Sequence, residues 1–188
     1  MSSGLPRSSY DPRRIFLFNL PKLNLGGKGR EIGTYLAGGL FAASFFLLID
    51  ASTISSHAKP PPDAPYDTVP VHISFTDWIP AIFSTLGYLT ISILDKTHLT
   101  SNSSDSFGSE GSIASRARAV LFIGVALLAG GFAGSLTVLI LKYLVPGYNA
   151  YAYYGAANVG MNGGLMLSSL ILWIAQSSSD EYEYQLTV

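Results

Sequence analysis

Few residues in this 188-residue chain are of a type that does chemistry in an apolar medium. Asp50 ends the run Phe45-Phe-Leu-Leu-Ile-Asp50, where a carboxylate could relay a proton. A charged side chain costs roughly 2.5–3.5 kcal/mol at the midplane of a bilayer and far less near its interface. Asp50 falls close to the end of its apolar run, so an interfacial carboxylate, or one paired within a helix bundle, explains it as well. Asn158 and Asn162 are spaced four apart and share one face of a helix. Such amides either line a polar substrate path or hydrogen-bond to a neighbouring helix, for about 0.6–2 kcal/mol. His57 and His72 are too scattered for a metal site. The chain has no cysteine, which removes disulfides, thiolate nucleophiles and thiolate metal ligands together. Neither G-x-S-x-G nor H-E-x-x-H occurs, and no carboxylate pair or His-carboxylate set has an active-site spacing. The residues therefore predict no catalytic, metal-binding or cofactor-binding site.

The elements that carry these residues are apolar runs. Between Arg118 and Lys142 there is no charge, and residues 119–145 make a helix of roughly 40 Å, long enough to cross a bilayer core of about 30 Å. Three further spans are expected at about 32–53, 78–94 and 153–176. The second is the shortest and most polar; Asp77 is placed to cap it and Pro80 to lie in its first turn. Trp78 and the cluster Tyr148, Tyr151, Tyr153 and Tyr154 fit aromatic belts at headgroup depth. Ala126, Gly130 and Gly134 line one face of the third span, and Gly160 and Gly164 one face of the fourth. Small residues at that spacing let a second helix approach backbone to backbone, from this chain, a second copy of it or a partner. Around the spans lie an N-terminal segment 1–31 with the short apolar patch Ile15 to Leu20, a proline-rich linker, a serine-rich loop 95–117 and an acidic tail 177–188. The expected fold is an all-α polytopic membrane protein of four transmembrane helices, in contact with the lipid bilayer. At a net charge of −1, nucleic acid is not expected as a partner.

Three stretches carry a resemblance. These are His72-Ile-Ser-Phe-Thr-Asp-Trp-Ile-Pro80 with Ser84-Thr-Leu-Gly87; Ala117-Arg-Ala-Val-Leu-Phe122, Ala126-Leu-Leu-Ala-Gly-Gly131 and Lys142-Tyr-Leu-Val145; and Leu172-Trp-Ile-Ala-Gln176 with Asp180-Glu-Tyr-Glu-Tyr184. In combination they resemble the fungal vacuolar protein sorting-associated protein 68 family, related to the animal transmembrane protein 50 family, collinearly from about Leu17 to Val188. The resemblance implies a non-enzymatic protein of late endosomal and vacuolar membranes. It also implies a complex with a second small tetraspan protein, akin to vacuolar protein sorting-associated protein 55. No catalytic residue is implied. A small-residue face, Gly130/Gly134 or Gly160/Gly164, is the expected dock for that partner. The alternative is a small transporter or lipid-handling protein built around Asp50, Asn158 and Asn162.

Orientation follows from charge. Arg7, Arg13, Arg14, Lys22, Lys28, Arg30, Lys96, Arg116 and Arg118, nine of the eleven Lys and Arg, fall on one side of a four-span layout. The positive-inside rule makes that side cytosolic, with both termini on it. The sequon Asn102-Ser-Ser104 then faces the cytosol and stays unmodified. Treatment with an endoglycosidase should leave the gel mobility of the protein unchanged; a shift would reverse the topology.

Overall fold

The computed structural model describes residues 29–60, 68–94 and 110–183. The apolar patch Ile15 to Leu20, most of the linker prolines, most of the serine loop with its sequon, and the last five residues lie outside the described residues. Among those described there is no strand. Four long helices, α1 (Gly29–Ser56), α2 (Phe75–Ile93), α3 (Glu110–Val138) and α4 (Ala152–Glu183), carry the chain. A π-helical segment, Leu139–Leu144, extends α3, and a short 3-10 turn, Asn149–Tyr151, precedes α4.

α1 runs three residues beyond its expected limits at each end, and two helices run much further. α3 begins at Glu110, inside the expected serine loop, and α4 continues to Glu183, inside the expected acidic tail. No proline interrupts either extension, and Ser, Glu and Arg cost a helix little. α2 begins at Phe75, three residues before the expected start, so Pro80 sits in its second turn rather than its first. Pro80 has no N–H to offer the carbonyl one turn back, which loosens the helix there.

Direction is read from the seams. On α1 and α4, Gly33 meets Ala175, the Ser168 hydroxyl donates to Ala37 O (2.8 Å), Gly164 meets Ser44, and the Tyr153 hydroxyl donates to Asp50 (2.6 Å). Numbers rise on one helix as they fall on the other, so the pair is antiparallel. α2 and α3 are antiparallel in the same way, from Ile91 against Gly124 to Ser74 against Lys142. Asn158 with Asp77 and Asn162 with Ser84 make α2 and α4 parallel. The chain therefore runs up, down, up, down, and the start of α1, the end of α2, the start of α3 and the end of α4 share one end of the bundle. α4 is central, with α1 on one side and α2 and α3 on the other.

Two apolar clusters fill the bundle. Leu48, Ala81, Ile91, Leu128, Met161 and Leu165 form one. At the linker end, Ala51, Val71, Tyr143, Tyr154 and Ala157 form the other and hold the end of the linker against the helices. The outward surface is also apolar: Leu36, Phe46, Phe83, Phe122, Leu141 and Leu170 are all exposed. α1, Ser115–Leu144 and Asn149–Gln176 are each long and apolar enough to cross a membrane. The connection to α4 turns at Pro146-Gly147, where Gly147 has φ +82°, a backbone state that favours glycine.

The closest backbone approach is between α2 and α3. A Cβ on Gly87 would lie 2.7 Å from Gly124 O, and one on Gly131 would lie 2.7 Å from Pro80 O and run into Ser84. The face that α3 presents to α2 is thus Gly124, Gly131 and Gly134, rotated away from Gly130, whose Cβ position is open. Gly131→Ala should lower stability by about 1–3 kcal/mol through overpacking. Gly130→Ala should be neutral or slightly stabilising. Melting temperatures of the two variants in detergent check the contrast.

Candidate functional site

The polar residues of the bundle converge where α2 begins. Ser74 precedes the helix, and the Asp77 carboxylate at the third helical position accepts from Ser74 N at 2.7 Å. This is one half of a capping box, so Ser74 is the N-cap residue and Asp77 acts one turn inside the helix. Lys142 reaches the same carboxylate oxygen at 2.5 Å, and also bonds Ser74 Oγ (3.0 Å) and His72 O (2.9 Å). The α2 N-terminus adds its own preference for a negative charge. Asp77 is buried, with its side chain 3% exposed, while that of Lys142 is 29% exposed. The pair is therefore half-shielded, with its acid inside and its base at the edge.

Lys142 and Tyr143 both project from the π-helical segment. Its wider turn is set by bonds from Val145 N to Ile140 O (2.8 Å) and from Tyr148 N to Tyr143 O (2.9 Å). The helix loosens where α4 presses on it, since a Cβ on Gly155 would lie 2.6 Å from the Leu139 side chain and 2.9 Å from the Tyr143 ring. Single-turn π segments recur at functional positions because they redirect side chains that a regular helix cannot aim. Asp77 Oδ1 and the Tyr143 hydroxyl are both buried without a hydrogen-bond partner. One is an acceptor and the other a donor, and the Asp77 charge acts on that hydroxyl.

Below Asp77 the polar line continues along α4. Asn158 Nδ2 donates to Asp77 O (2.7 Å), Asn162 Nδ2 donates to Asn158 O (2.8 Å) and Asn158 Oδ1 (2.9 Å), and the Ser84 hydroxyl donates to Asn162 Oδ1 (2.5 Å). The two asparagines are thus committed to α2 and to each other. Asp50 is placed elsewhere, exposed at the α1–α4 edge with Tyr153 as its donor. The structure brings Asn158 and Asn162 together and leaves Asp50 apart, so the three do not surround one cavity. Gly160 and Gly164 are covered by Leu47 and Ser44 of α1 within the same chain. Gly134 lies against Pro80, while Ala126 and Gly130 are exposed. His72 Nδ1 is spent on Ser55 O (2.9 Å) and His57 Nδ1 on Thr53 O (2.9 Å).

The Asp77–Lys142 pair is the feature that sequence reasoning missed. One signal pointed to it: an aspartate at the start of the most polar helix and the lone lysine at the end of the longest apolar one belong to the same end of the bundle. Charges at matching depth in a membrane bundle pair by default.

Its outward apolar surface and inward polar line mark this chain as an all-helical integral membrane protein. Residues 11–182 match the Uncharacterised protein family (UPF0220), and the chain belongs to it. It is 41% identical over 184 residues to "Vacuolar protein sorting-associated protein 68" of Saccharomyces cerevisiae, covering 92% of this chain and 94% of the relative. A UPF0220 protein of Schizosaccharomyces pombe is 41% identical over 176 residues, covering 92% and 95%. The "Transmembrane protein 50 homolog" of Dictyostelium discoideum is 31% identical over 151 residues, covering 79% and 92%. No solved structure matches the chain.

Removing one partner of a buried pair leaves the other uncompensated, at a cost of about 3–5 kcal/mol when both are fully buried. Lys142 is partly exposed, so Asp77→Asn and Lys142→Met should each cost less, roughly 1–3 kcal/mol. The double variant should cost clearly less than the sum of the two, and a denaturation cycle in detergent measures that difference.

Proposed function

We propose that this chain is a non-enzymatic, four-span protein of late endosomal and vacuolar membranes. It acts in late endosome-to-vacuole sorting, in complex with a tetraspan protein akin to vacuolar protein sorting-associated protein 55. The observation that carries this reading is 41% identity, over nearly the whole of both chains, to a yeast protein named for vacuolar protein sorting. The family match, residues 11–182, takes in Asp77, Lys142, Asn158 and Asn162.

In this reading α2 is the fourth span. Its 19 residues reach about 28 Å, close to the thickness of a bilayer core. Its polar residues Asp77 and Ser84 are buried against α3 and α4, while Ile79, Ile82, Phe83, Leu86, Leu89 and Ile93 face outward. The up-down path supports the same conclusion, because α1 ends and α3 begins at opposite ends of the bundle. Both termini and the serine loop are then cytosolic, in keeping with the Lys and Arg distribution.

The partner docks on the outer face of α3. Ala126 and Gly130 are exposed, and nothing lies within 4 Å of the position a Gly130 Cβ would take. The Gly160/Gly164 face is already filled by α1, whereas the Ala126/Gly130 face of α3 is open to another chain. Cells lacking the protein should deliver a newly made vacuolar hydrolase slowly, with cargo held in late endosomes. Wild-type protein should restore delivery, whereas an Ala126→Leu/Gly130→Leu variant should insert normally but lose co-purification of the tetraspan partner and fail to restore it. Normal delivery in the null cells would overturn the sorting role; undiminished co-purification would overturn only the docking face.

A further inference from the structure

Asp50 takes no part in the polar line of the bundle. It is exposed at the α1–α4 edge, and its Oδ2 accepts one hydrogen bond, from the Tyr153 hydroxyl at 2.6 Å. That bond sets it level with the first turn of α4, where Tyr153 is itself 46% exposed. Among the described residues no Lys, Arg or His pairs with Asp50, and Lys142 is already spent on Asp77, Ser74 and His72. The outward residues just before it, Phe46, Leu47 and Ile49, are hydrocarbon.

The depth of this carboxylate follows from helix length. α1 has 28 residues and is long and apolar enough to cross a membrane. It measures about 42 Å against a hydrocarbon core of about 30 Å, so a centred α1 overhangs by roughly 6 Å at each end. Asp50 lies six residues, about 9 Å, before the end of α1, hence about 3 Å inside the hydrocarbon boundary. At that depth a charge is compensated by what the headgroup layer brings to it. Oδ1 takes no donor from the described residues. It therefore suits a positively charged N–H donor, and bonds of that kind are the strong ones. The quaternary ammonium of a choline headgroup has no N–H to give, whereas a primary ammonium has three.

We infer that Asp50 is a binding site for the primary ammonium of an ethanolamine phospholipid, with Tyr153 holding the carboxylate in place at the α1–α4 edge. The site needs only α1 and α4 to span the bilayer. It is independent of the sorting role, of the docking face on α3 and of the path of α2.

The full chain in detergent is offered equal amounts of phosphatidylethanolamine and phosphatidylcholine with identical acyl chains, and retained lipid is counted by native mass spectrometry. The ethanolamine lipid should be retained over the choline lipid by about five-fold, the upper end for an exposed ion pair. Asp50→Asn, which keeps an acceptor for Tyr153 but removes the charge, should bring the two lipids to parity. Asp50→Glu should keep the preference. If Asp50→Asn does not fold, Asp50→Ser is read in the same way. Glu31→Gln, which removes the exposed acid beside Arg30 at the other end of α1, should leave the preference unchanged. Parity in the wild-type protein, or a preference that survives the loss of the Asp50 charge, would overturn the site. An equal loss in Glu31→Gln would show a general effect of negative charge and overturn it as well. Free ethanolamine in excess should not compete, and displacement of the lipid by it would overturn the assignment to a phospholipid.

Discussion

A buried carboxylate in a bundle whose outer surface is hydrocarbon is the constraint on which the other features depend. Asp77 is 2% exposed and has to be neutralised from within the chain. Lys142, the Ser74 N–H and the α2 N-terminus do so together, and each belongs to a different piece of backbone geometry. In water these links would be worth little individually, because an exposed pair gains about 0–1 kcal/mol. Around a buried acid with few alternative partners, breaking one is costly while building it gains little net stability. Such a pair specifies an arrangement more than it stabilises one. It fixes which turn of α3 faces the start of α2, and the π-helical segment is the local distortion that makes the meeting possible.

The same logic extends down α4. Asn158 and Asn162 bind the α2 backbone and Ser84, so the least apolar helix is held by hydrogen bonds where the apolar helices are held by close packing. Gly87, Gly124 and Gly131 then bring the α2 and α3 backbones within contact, a distance at which any side chain would intrude. Hydrogen bonds and small-residue packing are the two forces left once lipid removes the hydrophobic drive for helices to associate. α1 uses mainly the second of these, resting on α4 through Ser44, Gly160 and Gly164 and touching α2 through the Phe41 and Tyr88 rings.

Much of this was legible in the residues. The apolar runs predicted helices where helices stand, and the spacing of Asn158 and Asn162 placed them on one face. Three things were not legible, for physical reasons. Whether a small-residue face packs inside the chain or remains open depends on helix rotation, which spacing does not fix; Gly130 and Gly131 differ by one position and by everything they touch. The π segment has no composition of its own, and it stands where Gly155 of α4 comes close to Leu139 and Tyr143. The partnership of Asp77 and Lys142 spans 65 residues and two helices, so it exists only once the helices are paired. Helix ends were misjudged because serine, glutamate and arginine mark a membrane boundary without stopping a helix.

The proposed four-span reading requires α2 to run through the bilayer beside α3 and α4, and its sidedness can be read directly. The chain has no cysteine, so single cysteines report without background. In sealed vesicles carrying the full chain, Thr68→Cys before α2 and Asn149→Cys before α4 should react with a membrane-impermeant maleimide from one face only. Arg116→Cys, early in α3, should react only from the opposite face. Reaction of Thr68→Cys and Arg116→Cys from the same face would mean that α2 does not cross, and that the buried ion pair lies in a different setting from the one described.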